Sequence, residues 1–168
     1  MAVRIDAQLT PAKLRRHIER LFELSARKIL DLEKHWDPAR GAPVFTVNGR
    51  YTTRGWTEWT DGFRHGSALL QYDATREERF LRLGRDGTMR AMPVHVSHMG
   101  VHDHGFNMVS TYGNLRRLIL ENAAPAAEGG LSTCELALKI SGAVQAARWT
   151  QIPDGGFIYS FNGPHSLF

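Results

Sequence analysis

Four histidines and one aspartate fall within ten residues, in the stretch His95-Val96-Ser97-His98-Met99-Gly100-Val101-His102-Asp103-His104. Asp103 stands between two imidazoles and just ahead of a run with helical periodicity. Neighbouring cations and a helix N-terminus both favour an ionised carboxylate. Burial against Trp or Phe favours the protonated form, which is that of a general acid. Residue types alone leave both open. They also leave open a plainer role, because Asp is a preferred N-cap and Asp103 could simply close the first turn of that helix. The same histidines, with Asp103, are enough ligands for zinc, but their spacing is not that of H-E-x-x-H. Each is more simply read as a loop residue bonded to backbone.

A second cluster is Gly55-Trp56-Thr57-Glu58-Trp59-Thr60-Asp61-Gly62-Phe63-Arg64-His65-Gly66. Glycines here permit close approach of a ligand or another helix, and an aromatic face such as that of Trp59 can stack on a sugar ring. Phe63 reads better as core. A third group is Trp149 with the loop Ser160 to His165. His165 and its neighbours could hold sugar hydroxyls or satisfy a turn.

These groups need elements to position them. Leu14, Ile18, Leu21, Phe22, Ile29 and Leu32 recur near the helical period, and Thr10-Pro11 is a helix start, so a helix is predicted from Pro11 to His35. Residues 37–55, with Pro38, Gly41, Pro43, Gly49 and Gly55, read as a long loop holding a short extended piece over Val44 to Val47. A second helix is predicted over Trp59 to Tyr72. A third begins at Thr75, with Glu78 completing a capping box, and runs toward Met89. Asp73-Ala74 is the short connection that makes these two antiparallel. A fourth helix covers Gly105 to Glu121, with Val109, Tyr112, Leu115 and Ile119 on one face. Residues 122–130 are a linker. A fifth helix, capped by Ser132, runs to about Ala147, with Leu136, Ile140, Val144 and Ala147 in register. After Trp149 come a turn at Pro153 to Gly156 and a short extended run at Phe157 to Tyr159. Helix, short turn, helix, with chemistry in alternate loops, is how an (α/α) toroid is built.

Composition bounds the rest. The chain has 168 residues, 42% of them hydrophobic and 23% charged, which fits one soluble helical domain. The net charge of +4 suits an acidic substrate, yet no dense basic run with interleaved aromatics suggests nucleic acid. The single cysteine, Cys134, excludes an intrachain disulfide and a four-thiolate zinc site. Met1 to Thr10 has no apolar signal-peptide core, and no apolar window is long enough for a membrane helix, so a cytoplasmic location is the expectation.

Trp59-Thr60-Asp61-Gly62-Phe63 followed by Gly66, then His102-Asp103-His104-Gly105-Phe106 with a helix pair between, resembles glycoside hydrolase family 88, the unsaturated glucuronyl hydrolases. The resemblance spans Trp56 to Phe168. It implies an all-α fold, part of an (α/α)6 barrel of antiparallel helix pairs, incomplete at the C-terminus. The whole chain, 1–168, would be the N-terminal part of one such domain. It implies removal of a 4,5-unsaturated uronic acid from the non-reducing end of oligosaccharides made by a polysaccharide lyase, by hydration of the vinyl ether, without metal or organic cofactor. On that resemblance Asp103 is one of two essential aspartates, His102 and Trp59 line the substrate pocket, and Trp149 stacks beneath the sugar. His104 departs from the family, where an apolar residue is usual. The second aspartate, the proton donor, is expected beyond Phe168, so activity is expected to need more chain than this. Unsaturated rhamnogalacturonyl hydrolases share much of the layout. The competing readings are a non-catalytic helical module that binds carbohydrate or a protein partner, and a metal-dependent hydrolase using the 95–104 histidines. Which oligosaccharide is bound, and the oligomeric state, are not legible.

Overall fold

The computed structural model describes residues 8–54, 58–100 and 102–160. The chain divides into two units, residues 1–35 and 36–168. In the first, helix α1 (Pro11–His35) starts where predicted, with the Thr10 carbonyl accepting from Leu14 N at 3.1 Å. None of its residues is buried. Its polar face carries close pairs such as Arg20–Glu23 at 2.7 Å and His35–Asp31 at 3.0 Å.

The second unit begins with buried Trp36, whose indole N–H donates to the Gly41 carbonyl at 2.9 Å across the tight turn Pro38–Arg40. The stretch read as a long loop contains a hairpin, β1 (Phe45–Val47) paired with β2 (Arg50–Thr52). Its two-residue turn is Asn48-Gly49, at φ 50° and 74°. Two left-handed residues in succession match the right-handed twist of paired strands, and Asn-Gly is the pair that adopts them most readily.

Helix α2 (Asp61–Thr75) follows a single 3-10 turn, Glu58–Thr60, and α3 (Glu78–Ala91) follows α2. The capping box expected at Thr75 does not form. The Thr75 hydroxyl donates back to the Gln71 carbonyl at 2.8 Å, so this residue finishes α2 instead of opening α3. The reversal falls on Arg76, at φ 58°. The predicted fourth helix runs as α4 (His104–Met108), a π turn (Val109–Gly113) and α5 (Asn114–Leu120). The fifth is α6 (Gly130–Ala147). Gly129, at φ 68°, takes its N-cap position in place of Ser132, whose hydroxyl donates to the Gly129 carbonyl at 2.9 Å. A second hairpin, β3 (Trp149–Ile152) with β4 (Gly155–Ile158), closes the described chain, so Trp149 opens a strand and does not end the helix.

Contacts fix the helix directions. Gly62 meets Asn107, Gly66 meets Ser110, and Asp73 bonds Arg117, so α2 and the α4–α5 helix run parallel. Leu69 against Gly84 and His65 against Gly87 make α3 antiparallel to α2. His104 on Ser141 and Arg116 on Glu135 make α6 antiparallel to α4–α5. Parallel helices, each with an antiparallel return, are the repeating unit of an (α/α) barrel. The heads of α2 and α4 and the tail of α6 therefore share one end of the layer.

The core is Leu69, Phe80, Leu81, Tyr112, Leu115 and Leu118, all essentially without exposure. Two expected apolar stripes lie elsewhere. On α6 the buried positions are Gly130, Cys134, Ala137 and Ser141, while Leu136 is 59% and Ile140 39% exposed. The small side chains let α6 approach the π turn closely. The extra residue in that wide turn also shifts the helix phase, so Val109 is 61% exposed although Tyr112, Leu115 and Ile119 are buried. Burial raises the Cys134 thiol to about 11, keeping it neutral and inert. No described helix is long and apolar enough to cross a membrane.

The parallel contact depends on glycine. A Cβ on Gly66 would lie 2.5 Å from the Ser110 carbonyl oxygen, a backbone atom that cannot swing away. Gly66→Ala is expected to lower unfolding free energy by roughly 1–3 kcal/mol, as overpacking does. Gly142→Ala, in α6 with open space around it, is expected to raise it by roughly 0.5–1 kcal/mol. Urea denaturation of the two variants checks the opposite signs.

Candidate functional site

The head of α2 is capped from outside its own segment. Thr60, at the N-cap position, makes no side-chain capping bond. The side-chain oxygen of buried Asn107 accepts from Gly62 N at 2.8 Å instead. A helix end leaves donors that need partners, and supplying one from α4 locks the heads of the two helices together. Trp59, in the turn before α2, consequently packs on Phe106 with ring centroids 5.4 Å apart, and Phe63 packs on the same ring at 5.3 Å. Phe63 was expected in the core, yet it is 46% exposed and belongs to this aromatic cluster, one turn of α2 beyond Trp59. Phe106 lies three residues past Asp103.

Asp103 occupies the N-cap position of α4. Its carbonyl accepts from Phe106 N at 3.1 Å, but its carboxylate makes no capping bond. Oδ1 lies 3.5 Å from His102 Nε2, and the Asp103 side chain keeps 14% exposure against 45% for His102. His102 Nδ1 sits 3.1 Å from the Ser160 carbonyl. A carbonyl only accepts, so Nδ1 carries hydrogen there. Nε2 is then the atom turned toward Asp103, and a proton on either Nε2 or Oδ1 would join the pair.

His104 is buried, with Nδ1 2.7 Å from Ser141 Oγ and Nε2 against the His98 carbonyl. By the same reasoning Nε2 donates and Nδ1 accepts from the serine hydroxyl. His104 thus ties the histidine-rich connection to α6. Arg148, at the tail of α6, ties it again: its guanidinium donates to the carbonyls of Met99, Tyr159 and Ser160 and stacks on the Tyr159 ring at 4.5 Å. Among the described residues no three His, Cys, Asp or Glu side chains converge as a metal site would require.

The structure thus brings Trp59, Phe106, His102 and Asp103 together at one end of the helices. Trp149 is at that end too, but it is 53% exposed and turned onto its own hairpin. It donates to Gln151 at 3.1 Å, and its ring covers Gly156. His165 and Trp56 lie outside the described residues. Sequence reasoning missed Asn107 and Arg148. Asn107 carries little signal, since it lies off the predicted apolar stripe of Val109, Tyr112, Leu115 and Ile119. Arg148 carries none, since an arginine after a helix ordinarily faces water.

Burial is the largest influence on His104, with the nearby Arg148 charge acting in the same direction, and its imidazole is held below the usual value of 6.5. Folding therefore favours the neutral ring. That stability is whole above about pH 6.5 and is lost as pH falls through the lowered folded-state value. The urea midpoint is expected to drop as pH falls below about 6.5. His104→Gln, which can donate to His98 and accept from Ser141, should flatten that drop; parallel profiles for parent and variant would contradict this.

The chain is similar to the crystal structure of an unsaturated glucuronyl hydrolase specific for heparin. The two superpose over 88% of this chain with a TM-score of 0.66 and 18% sequence identity. The match covers 36% of that chain, so this protein spans about a third of its length. No family profile matches the sequence, and no curated protein matches it. At this identity the likeness establishes architecture: the helices form part of a helical (α/α) barrel.

Proposed function

We propose that this chain belongs to a glycoside hydrolase acting on 4,5-unsaturated uronic acid at the non-reducing end of lyase-generated oligosaccharides. The observation that carries this is that the Asp103–His102 pair and the Trp59–Phe106 ring pair lie at the same end of the helices, Phe106 three residues past Asp103, in a fold shared with a glucuronyl hydrolase. A sugar ring presents an apolar face to an aromatic and an ionic edge to polar groups, and this end of the helices offers both. The reaction adds a proton to C4 and the hydroxyl of water to C5 of the vinyl ether. The hemiketal so formed opens to a ketone at C5 and a hemiacetal at C1, and the hemiacetal collapses to an aldehyde, releasing the remaining sugar as an alcohol. Asp103 is the carboxylate of this chain that works at the ring, acting with His102 as a place to hold a proton. Trp59 is the stacking surface, and Trp149 and His165 add contacts to the sugar.

Binding of an unsaturated uronate disaccharide is tested on the purified chain by tryptophan fluorescence, and turnover, by loss of the ultraviolet absorbance of the unsaturated ring, on the chain extended by the part expected to carry the second aspartate. Trp59→Ala is expected to weaken binding roughly tenfold, equivalent to about 1.4 kcal/mol. Asp103→Asn is expected to bind normally and lose roughly 100-fold or more in kcat, the range for a proton-handling group. Binding without turnover would favour a non-catalytic sugar-binding module. A folded parent that does neither would overturn the proposal.

A further inference from the structure

Arg148 follows the last residue of α6, and its main chain is anchored without help from the side chain. Its N–H donates to the Gln145 carbonyl at 3.1 Å, and its carbonyl accepts from Tyr159 N at 3.2 Å. Backbone alone therefore holds the exit of β4 against the tail of α6. The guanidinium adds bonds of a different reach. Nε and one terminal nitrogen donate to the Tyr159 carbonyl, at 3.1 and 2.8 Å. That terminal nitrogen also meets the Ser160 carbonyl, and the other terminal nitrogen meets the Met99 carbonyl. Met99 lies three residues before His102.

The Ser160 carbonyl is shared: it accepts from Arg148 and, at 3.1 Å, from His102 Nδ1. Its oxygen has two lone pairs and can serve both. One side chain thus constrains His102 twice. The bond to Met99 holds the chain that leads into it, and the bond to Ser160 holds the acceptor its ring turns to. That acceptor requires hydrogen on Nδ1, which places Nε2 on the Asp103 side, 3.5 Å from Oδ1. The contacts also close on themselves. From Asp103 they pass through His102, Ser160 and Arg148 into α6, then from Ser141 back to His104, the neighbour of Asp103. Filling space does not account for this arginine. It is fully buried, and an apolar side chain of similar length would occupy the volume with no cation to desolvate.

We propose that Arg148 is the positioning residue of the Asp103–His102 pair, holding the His102 ring through the Ser160 and Met99 carbonyls in the Nδ1–H form with Nε2 toward Asp103. Its described hydrogen bonds all go to main-chain carbonyls, so it acts through His102. Its bearing on turnover rests on the role proposed for Asp103; its hold on the ring does not.

The test is a long-range nitrogen–proton correlation of the imidazoles in the 168-residue chain, with His102 assigned by its loss in His102→Gln. It is recorded at about pH 8, above the range in which imidazoles ordinarily titrate. In the parent, Nδ1 is expected at the shift of a protonated nitrogen and Nε2 at that of an unprotonated one. Arg148→Met keeps most of the stem and removes the donors, so the two signals should move toward each other as the ring exchanges between both forms. Arg148→Lys keeps the charge but lacks the fork that spans two carbonyls, and should fall between parent and Arg148→Met. Dispersed amide resonances from α2 and α3 establish that each variant is folded. On the extended chain, Arg148→Met is expected to lower kcat roughly 10- to 100-fold, as misplaced catalytic groups do, with KM within about twofold of the parent. A parent with its hydrogen on Nε2 would overturn the proposal without any variant. So would a folded Arg148→Met or Arg148→Lys whose His102 signals match the parent's. An extended parent that never turns over, with the Nδ1–H form present and then lost in Arg148→Met, would remove the catalytic reading of Asp103 and uphold the hold of Arg148 on His102.

Discussion

The buried guanidinium of Arg148 is the interaction on which the candidate-site end of the helices depends. Removing a cation from water is costly unless its donors are met. Arg148 is fully buried, and its donors go to main-chain carbonyls of Met99, Tyr159 and Ser160, with no carboxylate among the bonds it makes. The cost of burial is thus offset by these hydrogen bonds, which also hold in place two stretches of chain that have no regular structure of their own. One is the connection leading into His102 and Asp103. The other is the exit from β4, whose Ser160 carbonyl also receives His102. Losing the side chain would strand these carbonyls as well as open a cavity. The orientation of His102, and through it the setting of Asp103, follows from a residue outside the candidate site.

His104 works on the same connection from the other side. It bonds Ser141 on α6 and the His98 carbonyl, so the loop is gripped from the middle as well as from Met99 onward. The family resembled by the sequence usually has an apolar residue here. A buried neutral imidazole does similar packing while satisfying a carbonyl that an apolar side chain would leave alone, at the cost of sensitivity to acid.

Much of the fold was legible because helix periodicity depends on local spacing. The bounds of α1 came directly from its apolar repeat and the Thr10-Pro11 start, and the alternation of helices and short turns gave the barrel class. What failed did so where packing departs from hydropathy. Leu136, Ile140 and Val144 formed the more apolar stripe of α6, yet close approach to the π turn demanded Cys134, Ala137 and Ser141. Val109 was misphased because a π turn is invisible to a 3.6-residue count. The Asn48-Gly49 hairpin was readable from its turn residues, but the surrounding prolines and glycines suggested irregular chain. At the site, the short motifs around Trp59 and Asp103 could be seen. Their contact runs through Phe106 and Asn107, and that is a tertiary fact.

The setting of Asp103 bears on its purpose. An aspartate at an N-cap ordinarily turns its carboxylate onto the helix donors, for about 1 kcal/mol. Asp103 has the position but does not make that bond. Its carboxylate points instead toward His102, whose other nitrogen is anchored on Ser160. A residue kept for capping alone would have every reason to cap, because nothing local would oppose it. Thr60 likewise leaves its helix uncapped, and Asn107 takes over that task for α2. At the head of α2 the main-chain requirement is met by another group. A carboxylate that holds the N-cap position and turns to His102 instead of the helix donors supports the proposed role of Asp103 and weighs against the helix cap as its whole account.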